Sequence, residues 1–324
     1  MLTPAQNPEL RGQDPAVATL VAAARSGRLH HGWLLCGKPG IGKATLAYRF
    51  ARWLLAGGQS DDLRLEPSNP IFRRVAAGAH ADLKVLERRV NEKTKRLQGE
   101  IVIDTIREVG DFLHLTAGEG GWRVVLVDEA ETLNRNAANA MLKLLEDPPP
   151  RSIWLLVCNA PGRLPITVRS RCRRLDLSLL PDAVVDDLVA QNLPTLTPAD
   201  RTRLVAIAEG SIGRALMLAG ANGGALADHV VEALAAPVPP FRAAAIADAV
   251  AKAEDGFGIF MDLLRSALAA ELRLRARDAA PMPPSLAGRA ALWQELARTE
   301  AMVDGLTLDP RAAILTVLHQ LQAP

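Results

Sequence analysis

Apolar residues run without a break through Trp33–Cys36, Val124–Val127 and Ile153–Cys158, and each run stops at a glycine, an acid or an asparagine. Runs of this length and continuity belong to strands buried on both faces, as in a parallel sheet, whereas half-wet strands alternate. They predict strands in "WLLCG" (Trp33–Gly37), "WRVVLVDEA" (Trp122–Ala130) and "SIWLLVCNA" (Ser152–Ala160). "ADLKVLER" (Ala81–Arg88) and "RCRRLDLSLL" predict two more. The segments between them change period. "KATLAYRFARWLLAG" sets Leu46, Ala47, Phe50, Trp53 and Leu54 on one helical face and stops at Gly57 and Gly58. Ile101–Leu115 does the same with Ile106, Val109, Phe112 and Leu113, with Asp104 as the expected cap. "NRNAANAMLKLLED" reads as a third helix, halted by Pro148–Pro150. Strands alternating with helices predict an α/β domain with a parallel sheet covered on both faces, ending near residue 178.

Beyond Pro181 no strand pattern recurs. Ala- and Leu-rich helical segments follow one another, broken by "NLPTLTP", "GANGG" and "APVPPF". The expected organisation is an α/β domain over 1–178, a small helical domain over 179–222 and a longer helical domain over 223–324. Composition agrees: only 4% of residues are aromatic and alanine is abundant, which suits packed helices better than a β-sandwich. A net charge of +2 is too small for a nucleic-acid-binding field over the whole molecule. Cys36, Cys158 and Cys172 lie far apart, without metal-site or disulfide spacing, which fits a reducing compartment. With no signal-like start and no apolar run of spanning length, a soluble, cytoplasmic protein with no membrane partner is expected.

The chemistry gathers at the strand ends. "CGKPGIGKATLAYRF" (Cys36–Phe50) places Gly37, Gly40, Gly42 and Lys43 between a strand and a helix start. There, backbone N–H groups and the helix dipole favour an anion, and the lysine adds charge for terminal phosphates. The hydroxyl that should follow the lysine to ligate Mg²⁺ is replaced by Ala44, and Thr45 stands about 100° further round the helix. Asp128 and Glu129 close the Val124–Val127 strand, where such proteins keep a metal-holding acid and a water-orienting one. Glu131 reads as a surface or capping residue. Arg163, Arg169, Arg171, Arg173 and Arg174 crowd a segment, Gly162–Arg174, that contains no acid. An arginine there suits phosphate clamping, though Arg173 and Arg174 read more simply as a solvated basic loop or a nucleic-acid patch. The basic run Arg88–Arg96 reads as an exposed hairpin or loop.

Taken in order, "WLLCGKPGIGKATLA", "VVLVDEAETLN", "NAANAMLKLLEDPPP", "LPITVRSRCRRLDL" and "EGSIGRAL" resemble the clamp-loader branch of the AAA+ ATPases. The resemblance runs from about His30 to Leu216. It implies a RecA-like AAA+ P-loop domain, a small helical lid and a C-terminal helical collar within a five-subunit ring. Ala44, the wording around "VDEAETLN" and the lack of a long C-terminal extension place the chain with the branch's non-motor subunits. Its implied partners are the gamma/tau and delta subunits of DNA polymerase III and, through the complex, the sliding clamp and primed DNA. Arg171, in the Ser170-Arg171-Cys172 triplet, matches the arginine finger that acts on a neighbour's ATP. Gly37, Gly40, Gly42 and Lys43 match the P-loop, with Thr45 the nearest hydroxyl; Asp128 and Glu129 match Walker B, and Asn159 matches sensor 1. Arg214 falls near sensor 2, but Gly213 takes the place where the motor subunits carry their arginine. ATP is the one implied cofactor, with Mg²⁺ binding weakened by Ala44 and the chain's own hydrolysis in doubt. Many relatives carry a four-cysteine zinc module, but Gly57–Ala79 has no cysteine, so no zinc is expected. An active gamma/tau-like ATPase and a stand-alone DNA-binding P-loop protein stay open as alternatives.

Overall fold

The computed structural model describes residues 2–90, 97–114, 118, 121–220, 223–275, 284–306 and 308–322. These form two compact units: Met1–Leu188 with Glu209–Gly213, and Val189–Ala208 with Arg214–Pro324.

The first unit is built on a five-stranded sheet. Its strands are β1 (Gly32–Cys36), β2 (Leu83–Leu86), β3 (Arg123–Val127), β4 (Ser152–Cys158) and β5 (Arg173–Asp176), in the order β2-β3-β4-β1-β5. Every pairing is parallel, so all C-terminal strand ends lie along one edge. All residues of β1, β3 and β4 are buried, as their apolar runs require. Alternate residues of these strands serve opposite faces. Trp33, Leu35, Leu126 and Leu155 pack with α1 (Asp14–Arg25) and α2 (Lys43–Leu55). Leu34, Val125, Val127, Trp154 and Leu156 pack with α4 (Ile103–His114) and α5 (Arg135–Glu146). The edge strand β5 is exposed at Arg173, Arg174 and Asp176, and charge on an edge discourages pairing with another sheet.

Several local expectations shift. Helix α1 and the short α3 (Pro70–Ala76) arise where no element was expected; α3 starts at Asn69, whose side chain accepts from the Ile71 N–H, followed by a proline at the first helical position. Asp104 lies inside the first turn of α4, paired with Arg107 at 2.8 Å, and is not its cap. Asn134 caps α5 by accepting from the Ala137 N–H. A four-residue helix, α6 (Ile166–Arg169), precedes the Arg171 triplet.

The second unit is helical throughout its described residues. It draws on α7 (Asp182–Asn192), α8 (Pro198–Ala208), α9 (Ile212–Gly220), α10 (Gly223–Ala235), α11 (Pro240–Lys252), α12 (Gly256–Arg275), α13 (Pro284–Leu306) and α14 (Pro310–Gln320). The long α12 buries Phe260, Met261, Leu264 and Leu268 and packs against α10, α11 and α13. Ion pairs tie neighbours at the surface, Arg242 to Glu232 at 2.7 Å and Arg311 to Asp248 at 2.5 Å. No described helix is long and apolar enough to cross a membrane.

Candidate functional site

The P-loop leaves the C-terminal end of β1 and enters α2, as its sequence predicted. Gly42 takes a left-handed conformation (φ 100°) at the N-cap of α2. The first N–H groups of that helix have no acceptor inside it, as at any helix start, and such groups favour an anion. Four successive carbonyls of the loop are held by the chain itself. Lys43 Nζ donates to Lys38 O (2.5 Å) and Ser211 Oγ to Pro39 O (2.8 Å). The Gly213 N–H donates to Gly40 O (3.0 Å) and Gln13 Nε2 to Ile41 O (3.1 Å). Lys38 in turn pairs with Glu209 at 3.0 Å. The segment Glu209–Gly213 thus lies directly on the loop. At Gly40 (φ 73°) a Cβ would stand 2.4 Å from Ser211 Oγ, and at Gly213 a Cβ would stand 2.6 Å from Gly40 Cα. A side chain at 213 is therefore sterically excluded while this contact holds.

The donor set fits phosphate better than it fits a metal. The glycine turn, the helix start and Lys43 are in place for phosphate oxygens. Ala44 instead packs partly against the apolar cluster behind β1 and brings no ligand atom. Lys43 is buried, and burial pulls its pKa down against the opposing fields of Glu131 and Asp128. Burial pushes the Asp128 carboxyl up, opposed by the hydrogen bond it accepts from the Glu129 N–H (3.0 Å).

Two residues of this edge escaped the sequence reading. Glu131 is no surface group: its Oε1 accepts the Asn159 N–H at 3.0 Å, fastening the end of β4 beside Lys43. Its Oε2 is buried, and the neighbouring Cys158 thiol, which hydrogen-bonds to the Glu131 side chain, is pushed up to about 12, chiefly by burial. Arg88 is not simply part of an exposed basic run. Its Nε and Nη2 hold the Glu129 carboxylate at 2.8 and 2.6 Å, and Glu129 itself sits at φ 47°. Residues 91–96 of that run lie outside the described residues. Only a spacing of i+3 from Asp128 hinted at Glu131, and nothing local marked Arg88.

Arg171 stands at the other edge of the sheet. A Cβ on Gly32, the first residue of β1, would lie 3.2 Å from Arg171 O, whereas the P-loop starts after Cys36, the last. At about 3.3 Å per residue the strand separates them by roughly 16 Å, further than an arginine side chain extends. Arg171 Nη2 pairs with Glu146 at 2.6 Å and Nη1 donates to Thr167 O at 3.0 Å. Arg173 lies over the Trp33 ring at 5.1 Å and Arg174 pairs with Asp176 at 2.8 Å, both on the exposed β5. Thr45 is half-buried on α2. Arg214 belongs to the second unit, where it pairs with Asp262 at 3.2 Å.

Residues 12–181, just over half of the 324, match the family model described as "DNA polymerase III, delta subunit". Over 186 residues the chain is 36% identical to the DNA polymerase III subunit delta' of Pseudomonas aeruginosa, spanning 56% of this chain and 53% of that one. It is 32% identical over 225 residues to the same subunit of Escherichia coli, spanning 69% of this chain and 65% of that one. It is also 31% identical over 213 residues to the DNA polymerase III subunit tau/gamma of Haemophilus influenzae, spanning 64% of this chain and 29% of that one. The chain therefore spans less than two thirds of the length of each of these relatives.

Proposed function

The chain belongs to the DNA polymerase III delta-subunit family, and from that premise we propose that it is a delta-prime-like subunit of the clamp loader. In this reading 1–178 is the RecA-like AAA+ domain, 179–222 the lid and 223–324 the collar, joined with gamma/tau and delta subunits in a cytoplasmic five-subunit ring. The ring loads the sliding clamp onto primed DNA. This subunit holds the assembly and supplies Arg171 to the ATP of a neighbouring subunit.

The observation that carries this reading is the place of Arg171 across the length of β1 from its own P-loop. A guanidinium there cannot serve this chain's phosphates, yet it keeps donors free for a phosphate presented from outside. An arginine delivered this way stabilises charge on the transferring phosphoryl group, an effect of about 10³–10⁵ in rate in related systems.

The chain's own loop is proposed to bind nucleotide at most. Gly37, Gly40, Gly42 and Lys43 would hold the phosphates, with Asn159 and Arg214 in the sensor positions; no zinc is proposed. When bound, ATP would bring the phosphoryl group whose transfer drives the ring. Against turnover here stand Ala44, which offers Mg²⁺ no oxygen, and the Arg88 grip that neutralises Glu129 as a water-orienting base. The isolated protein is expected to show no ATP turnover above background, and Lys43→Ala to change nothing in that assay. Turnover abolished by Lys43→Ala would instead make the chain a gamma/tau-like motor.

A further inference from the structure

We propose that Glu146 is the positioning residue of Arg171: it aims the guanidinium from within this chain before any nucleotide arrives. The inference rests on the reading of Arg171 as a trans-acting finger.

An arginine on a surface samples many rotamers, and a fork of donors is useful only when it is already aimed. Here two fixed acceptors aim it. The Thr167 carbonyl, one turn back in α6, accepts a hydrogen bond from Nη1, and the Glu146 carboxylate accepts one from Nη2 at 2.6 Å. The Arg171 N–H also donates to Val168 O at 3.1 Å, so backbone and side chain are both set. Glu146 is the last residue of α5, a helix anchored by the buried Ala137, Ala138, Met141 and Leu145 and stopped by the prolines that follow. Leu145 itself packs beside Gly32, at the same sheet edge as Arg171. The acid thus sits on a rigid support, while Gly162–Arg174 offers no acid of its own.

The pair leaves the guanidinium available. The side chains of Arg171 and Glu146 stay 36% and 52% exposed, and a guanidinium has five N–H donors, of which these two contacts use two. Glu146 does not bury the charge; it fixes the plane in which the remaining donors point.

The test uses the reconstituted clamp-loader complex, with clamp- and primed-DNA-stimulated ATPase as the readout and assembly checked by size-exclusion chromatography. Glu146→Ala is expected to lower kcat on the order of tenfold with KM for ATP little changed. Glu146→Gln, which keeps an acceptor oxygen in the same place, is expected to recover most of the rate. On an Arg171→Ala background, Glu146→Ala should add nothing, because its whole effect passes through the arginine. If Arg171→Ala is impaired while Glu146→Ala turns over at or above the wild-type rate, the positioning role is overturned and the finger reading survives. An equal loss from Glu146→Ala on both backgrounds also overturns it, as a merely structural effect. A wild-type rate for Arg171→Ala removes the finger reading itself and this proposal with it.

Discussion

Asp128 sits half-buried at the end of a strand with no exposed residue, and burial holds its pKa above the ordinary 3.8. A carboxyl whose folded pKa is raised leaves the fold unpenalised below the unfolded pKa, where it is neutral in both states. As pH rises through the folded pKa it must ionise where water is scarce, and stability is lost. Asp128→Asn keeps an acceptor for the Glu129 N–H and removes the charge. Its melting temperature is expected to exceed wild type at pH 7, with the gap narrowing as pH falls toward 3.8. Equal melting temperatures at pH 7 would mean that the charge is fully compensated by Lys43. At this scale Lys43 and Asp128 stood out because the residue type and the preceding strand both announce them, and Arg171 because of its acid-free basic segment and its Ser170-Arg171-Cys172 triplet. Glu131 and Arg88 were not, because their partners, Asn159 and Glu129, are reached only after the chain has crossed the sheet.

Among the elements, the strands read most clearly from sequence, since uninterrupted apolar runs in β1, β3 and β4 have no other good fate. Helix α3 hid in a polar, proline-bearing segment although its Asn69-Pro70 start is a recognisable signal. The clasp of Glu209–Gly213 on the P-loop was beyond any local pattern, as it joins backbone across most of the first unit. Its tightness is testable with one substitution in two settings. Gly213→Ala drives a methyl to 2.6 Å from Gly40 Cα, backbone that cannot swing aside, and is expected to destabilise by about 1–3 kcal/mol in urea titrations. Gly110→Ala, in α4 with open space around its Cβ, is expected to be neutral or stabilising by about 0.5–1 kcal/mol. If both variants behave alike, the segment does not bear on the loop.

Across the molecule, one sheet separates two kinds of chemistry. Its C-terminal edge carries a P-loop whose outer carbonyls, lysine and acidic partner are all engaged by the chain itself. Its N-terminal edge carries an arginine aimed outward by Thr167 and Glu146. In the proposed ring the first edge maintains the fold and the second does the work, on ATP held by another subunit. The direct measurement compares Arg171→Ala with Lys43→Ala in the same reconstituted complex, each as the only altered subunit. Clamp- and DNA-stimulated ATPase is predicted to fall at least about tenfold with Arg171→Ala and to stay at the wild-type rate with Lys43→Ala. The reverse pattern, a loss with Lys43→Ala and none with Arg171→Ala, would show that this chain turns over its own nucleotide and lends nothing to its neighbour.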